Sequence, residues 1–374
     1  MQLKTITLST TLAALLASQA LMAEDYVSIE YLQYNENDSR VSVSAPTLGI
    51  SYDIGTDYNI KLEGVHDAVS GATPIWQPDT QSGASARSNS ADYRYGNAAF
   101  DEGRNAASLM LTTRFENRDE LYVGFDYSRE SDFDSKAGSL EYMHYTDESH
   151  NRALNIGASF AYNDILTFDY DTGSGASVKE SATSINLQAG IMQVLSAKSL
   201  LKLEGFAIRD QGYLNNAYAN VIRHYATPNQ KIVTESRPDT RLAYGINFKY
   251  TRLMAEDISY GLNYRFYQDD WEILSHTIEQ SFNYQWSEDL LLSASVRYYT
   301  QSQASFYHIA KDHFTSETYA SSDKRLSDFD ALTYKGYVEY QYNDSLSLNL
   351  GAEFYTQSTG LDATLFTTGV KYRF

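Results

Sequence analysis

The 374-residue sequence contains no cysteine, which excludes disulfides, thiolate metal sites and thioether-linked haem. Long apolar runs are missing too. After the first residues nothing supplies the roughly 18 consecutive apolar side chains that a transmembrane helix needs. Basic residues are few, 29 against 48 acidic, for a net charge of −19, and this disfavours nucleic acid as a partner. The acid excess gathers at Asp101-Glu102, Glu130 to Asp134 and Asp323 to Asp330, where the sequence suggests solvated turns and loops. Among catalytic signatures there is no Gly-x-Ser-x-Gly elbow, no phosphate loop and no HExxH pair. His308 and His313 are the closest approach to a metal pair, and their spacing in one loop defines no ligand geometry.

What is present begins with an export signal. Lys4 precedes the run Ile6 to Ala17 and the small residues Ser18, Ala20 and Ala23, the composition of a secretory signal peptide over residues 1–23. Any membrane span in the remaining 24–374 must then be made of strands. The chain has 32 Tyr, 16 Phe and 3 Trp with a mean hydropathy of only −0.44. That combination fits a barrel whose apolar residues keep to one face of each strand.

Alternation is the strongest pattern, because successive strand side chains point to opposite faces. In 258–267 one set is Ile258, Tyr260, Leu262, Tyr264 and Phe266, the other Ser259, Gly261, Asn263, Arg265 and Tyr267. In 346–355 Leu346, Leu348, Leu350, Ala352 and Phe354 oppose Ser347, Asn349, Gly351, Glu353 and Tyr355. The same period places strands at 26–34, 40–52, 58–67, 105–115, 120–130, 136–146, 152–166, 184–195, 200–211, 240–253, 258–268, 273–286, 290–302, 331–342, 346–357 and 364–374. That makes sixteen, with fourteen to eighteen open because 136–146, 184–195 and 273–286 alternate poorly. Short turns at seven sites from Gly55 to Ser345 would face the periplasm together with both termini, and long loops near 68–104, 167–183, 212–239 and 303–330 would lie outside.

A two-sheet sandwich also alternates, but its apolar set is buried and aliphatic. Here the apolar set ends in Tyr127, Tyr162, Tyr250, Tyr298 and Tyr342, as aromatic girdles do. The opposite set carries Lys61, Glu63, Arg114, Asp126, Lys202, Glu204, Lys249, Arg265, Arg297, Lys335, Glu339, Glu353, Lys371 and Arg373, which would line a lumen. The reading is an all-β transmembrane antiparallel barrel of a Gram-negative outer membrane, with lipid as its environment. Its last strand closes on Tyr372 and Phe374. This ending resembles the signal read by the bacterial barrel-assembly machinery.

One segment invites specific chemistry. Asp67-Ala68-Val69-Ser70-Gly71-Ala72-Thr73 resembles the acceptor motif of the periplasmic transferase that links FMN to a hydroxyl through a phosphoester. By that resemblance Thr73 is the acceptor, and Asp67, Ser70, Gly71 and Ala72 form the motif. Small residues at 71 and 72 would let a bulky nucleotide approach the backbone. The departures are Pro74 after the acceptor and the absence of an FMN-binding α/β domain. A Gly-containing bend opening a loop is the plain alternative. Together with the strand pattern, this stretch also resembles a family of outer-membrane barrels known as domain of unknown function 3570, which implies fold and location but no activity. Two functions stay open: a channel or scaffold barrel without catalytic machinery, and a flavinylated component of extracytosolic electron transfer. A third is an outer-membrane hydrolase using groups such as His66-Asp67 or His224.

Overall fold

The computed structural model describes residues 25–37, 40–78, 93–168, 177–224, 227–308 and 317–374, with backbone alone for 71–78, 93–100 and 168. The expected signal peptide and His313 lie outside the described residues.

Among the described residues eighteen strands are found, in chain order. They are β1 (Tyr26–Glu36), β2 (Val41–Ile54), β3 (Tyr58–Pro78), β4 (Tyr93–Arg114), β5 (Glu120–Arg129), β6 (Phe133–Tyr145), β7 (Arg152–Phe168), β8 (Ser177–Ser196) and β9 (Ser199–Gly212), then the short β10 (Asn220–Arg223) and β11 (Lys231–Thr234), then β12 (Thr240–Leu253), β13 (Ile258–Asp269), β14 (Leu274–Ser287), β15 (Leu290–Gln301), β16 (Phe329–Gln341), β17 (Leu346–Gln357) and β18 (Asp362–Arg373). All but β10 and β11 form one closed antiparallel barrel of sixteen strands. The ring is sealed by β1 against β18, from Tyr26 opposite Arg373 to Glu36 opposite Ala363. Closure gives every ring strand a partner on both sides.

Exposure assigns the two faces. On β1, Ile29 is 62 % exposed beside Ser28 at 9 %. On β7, Ile156 is 64 % exposed and Ala153 is 1 %, and on β17 Leu350 is 60 % and Ser347 3 %. The large apolar residues point outward and the small and polar ones inward, as the alternation requires. The same parity puts Arg265, Arg297, Lys335 and Glu353 inside. At the end carrying the seven short turns the outward ring includes Tyr52, Tyr58, Phe115, Tyr142, Trp286, Tyr342 and Phe374. Tyr372 and Phe374 stack with centroids 6.5 Å apart on this outer face.

Local chemistry shapes the turns. Gly55 takes φ +65° between β2 and β3, a left-handed conformation that costs glycine least. Gly245 on β12 answers a packing need: a Cβ there would collide with the Phe266 carbonyl and stand 2.5 Å from the Phe206 ring.

Three expectations need correction. The loop expected at 68–104 is largely a hairpin, since β3 and β4 stay paired from Asp67 opposite Arg104 to Pro78 opposite Tyr93. Asp101 and Glu102 therefore lie on a strand, and Gly71-Ala72 forms no bend. The loop expected at 167–183 is shorter, because β8 starts at Ser177 and pairs with β7 up to Phe168. Finally, the segment near 212–239 holds the hairpin β10–β11.

Candidate functional site

The lumen and its long-loop end form the site. Inward polar side chains on the β6–β12 wall are knitted together: Asn155 donates to both Glu141 (3.1 Å) and Glu204 (3.1 Å), Gln188 donates to Glu141 (3.1 Å), and Lys202 pairs with Glu204 (3.0 Å). Arg114 pairs with Asp53 at 3.2 Å, and Arg373 lies 3.7 Å from Glu339. The Arg265 guanidinium stacks 4.5 Å from the Phe206 ring centroid, in the place Gly245 leaves open.

The loop between β9 and β12 and the loop between β15 and β16 fold together into a cap. Backbone hydrogen bonds join Ser236 and Ala320 in both directions (3.0 and 2.7 Å). At their junction Arg237 bridges Glu235 (2.6 Å) and Asp323 (2.8 Å), and Arg325 grips Asp323 with Nε 2.8 Å from Oδ1. Glu235 is 2 % exposed and also accepts from Ser321 Oγ at 2.6 Å. Burial alone would raise the Asp323 carboxyl, but the Arg325 and Arg237 guanidiniums override it and hold the group well below the usual carboxylate range.

Apolar contacts root the cap on the wall. Trp271 and Ile273, following β13, pack with Ala304, Phe306, Tyr307 and Leu326. Ala217 packs on Ile165 and Ala182 of β7 and β8. Gln301 at the tip of β15 donates to the Arg325 and Ser327 carbonyls at 3.0 and 2.6 Å. Val221 and Ile222 of β10 are fully buried, and β10 lies against β3, nearly opposite in the ring to β9 and β12, from which its loop departs. The hairpin therefore spans the mouth of the barrel.

The flavin-like motif lies on β3. Asp67, 3 % exposed, is bound by Arg104 directly across the hairpin, with Nε 2.6 Å from Oδ2. Ser70 is exposed on the other face. β2 pairs with β3 only as far as Val41 opposite Gly71, so from Ala72 onward β3 is bonded to β4 alone among the described strands. Thr73 sits opposite Ala98, and its side chain is outside the described residues. Asp67 is committed to Arg104.

The hydrolase constellation is not assembled. His66 and Asp67 point to opposite faces, and His66 Nδ1 lies 2.9 Å from Asn105 Oδ1. His224 follows β10 in the cap with φ +58°. A feature that the sequence reading missed is the carboxylate trio Glu102, Glu130 and Asp132, whose oxygens lie within 4.8 Å of one another. The acid clusters at Asp101-Glu102 and at Glu130 to Asp134 were its signals. Burial, then the Glu102 charge, push Asp132 up to about 6.

A closed, inward-polar and outward-apolar antiparallel ring defines the class as a β-barrel of the outer-membrane type. The chain belongs to the DUF3570 family, described as a protein of unknown function, whose model matches residues 5–369. Comparison with curated proteins finds no match. Among solved structures the chain is similar to the CymD monoaromatic hydrocarbon channel, with 7 % identity, TM-score 0.46 and coverage of 96 % of this chain and 91 % of that one. CdiB from Acinetobacter baumannii shares 10 % identity at TM-score 0.47 over 94 % and 60 %, and OmpT of Vibrio cholerae shares 11 % at 0.37 over 93 % and 96 %.

Proposed function

We propose that this protein is an outer-membrane barrel of channel type, with its short turns and termini in the periplasm and the cap outside. The observation that carries it is the opposition of faces: large apolar side chains cover the exterior while charged ones line the interior. Left in water, each fully exposed Leu, Ile or Phe forgoes roughly 1.5–3 kcal/mol of burial. In lipid that exterior is the stable one. A ring of sixteen strands leaves an aqueous lumen, and here the cap narrows its mouth. Purified, heat-modifiable barrel in a planar bilayer should give small, discrete conductance steps. The absence of both conductance and solute binding in correctly folded protein would falsify the channel and leave a scaffold.

A second reading is favoured by the Asp67-to-Thr73 motif, which runs onto the part of β3 that is bonded to β4 alone among the described strands. On it Thr73 carries FMN through a phosphoester, attached by a periplasmic transferase before assembly, and the barrel hands electrons to a partner protein. Residues Asp67, Ser70, Gly71 and Ala72 would present the hydroxyl. Intact mass of protein co-produced with an active transferase decides this, because an unchanged mass and no yellow colour dismiss the flavin.

A further inference from the structure

We infer that the lumen is polarised from side to side and accepts small zwitterions, with their carboxylate toward the β12–β17 arc and their ammonium toward the β1–β6 arc. This rests on the channel reading.

The argument starts from which lumen charges are already satisfied. Lys202 and Glu204 neutralise each other, Arg114 is taken by Asp53, and Arg104 by Asp67. Lys249, Arg265, Arg297 and Lys335 form no ion pair with any described residue, and they stand on β12, β13, β15 and β16. Tyr264, Val296, Tyr298 and Tyr334, next to Arg265, Arg297 and Lys335, are exposed on the outside, as are Tyr244 and Ile246 on β12, whose even-numbered parity is opposite to that of Lys249, so these four cations face in. Arg297, Lys249 and Lys335 are solvent-exposed although they face inward. Three carboxylates share that arc: Glu279 in register with Arg297, Glu353 in register with Lys335, and Glu339, which is near Arg373 of β18 at 3.7 Å.

The facing arc is the reverse. Glu30 on β1, Glu63 on β3, Asp126 on β5 and Glu141 on β6 alternate with outward Ile29, Leu62, Phe125 and Leu140. None of these carboxylates is held in an ion pair with a described residue, and the cation on this arc, Lys61, lies nearer the short-turn end of β3. All eight groups lie away from the ends of their strands. The two arcs are contiguous and opposed in the ring order. Opposed charges across a passage with low-dielectric walls set up a field that aligns a dipolar solute and raises its local concentration.

Proteoliposome swelling on the full chain tests this with serine as the zwitterion and erythritol as an uncharged probe of similar size. Serine should enter about threefold faster or more. Arg265→Gln with Arg297→Gln, or Glu63→Gln with Asp126→Asn, should bring the ratio close to one while erythritol entry persists. Lys198→Gln, in the turn between β8 and β9, should leave the ratio unchanged. Persistence of erythritol entry shows that a variant is folded and open. An unaltered serine preference in both double variants overturns the inference and spares the channel, as does a preference that falls in one and rises in the other. If neither probe enters, the channel reading and the inference fall together.

Discussion

Asp119, at the short turn between β4 and β5, is 1 % exposed and gathers four partners. Tyr142 OH (2.5 Å), Asn117 Nδ2 (2.8 Å) and His144 Nδ1 (2.9 Å) meet Oδ2, and the Tyr145 N–H donates to Oδ1 at 2.9 Å. Burial would raise this carboxyl, but these hydrogen bonds outweigh it and hold the group well below the usual range. A depressed folded value means that the stability it contributes is present above the unfolded value of about 3.9 and lost as pH falls below it. Asp119→Ala should therefore cost about 1–3 kcal/mol at neutral pH, read from urea unfolding in vesicles, with the difference shrinking in acid. Asp132 has the opposite sign. Its folded value is raised to about 6, so its contribution is full below the unfolded value and lost as pH rises through about 6. Asp132→Asn should slow hydrogen exchange of the 130–133 amides at pH 7.5 and change little below pH 4.

Between residues and whole barrel lie the elements, and the cap is the one whose loss is separable. Removing Arg237 leaves Glu235 buried without its ion-pair partner and Asp323 with Arg325 alone, a change worth about 3–5 kcal/mol. Because the sixteen-strand ladder does not depend on that pair, Arg237→Ala should release the 213–239 segment to protease and raise single-channel conductance, while heat-modifiable mobility stays normal. Unchanged conductance in a variant whose cap is cleaved would argue that the mouth is not the constriction. On β12, Gly245→Val should displace Phe206 and with it the stacked Arg265, lowering the yield of folded barrel. The barrel strands were legible from alternation alone, as Leu242, Tyr244 and Ile246 show, because one face must meet apolar surroundings. The cap was not, since its contacts join Glu235 and Arg237 to residues such as Asp323 that are remote in the chain. Glu235-x-Arg237 and Asp323-x-Arg325 share a charge pattern that hints at it only once the two loops are known to meet. The outer half of β3 escaped for another reason: Ser70-Gly71-Ala72 has the composition of a turn, and tertiary pairing with Phe100 and its neighbours keeps it extended.

At the scale of the whole molecule the two ends differ. Seven short turns close one end, and the cap and the β3–β4 hairpin crowd the other. Trypsin added to intact cells should cut only at the crowded end if that end faces outward, and cutting within the short turns would invert the proposed orientation. The seal between β1 and β18 has a kinetic consequence as well. It joins Tyr26 to Arg373, so nearly all of the described chain is the loop that must be closed. The chain entropy of that closure is about 5 kcal/mol, and no local contact offsets it beforehand. Until the seam forms, β1 and β18 each present a row of bare amides and carbonyls, which hydrocarbon does not tolerate. The last pair to zip is therefore the slowest to form and the first to part. A partly made ring is better held in water by a helper than left in the bilayer, and insertion and closure become one cooperative event.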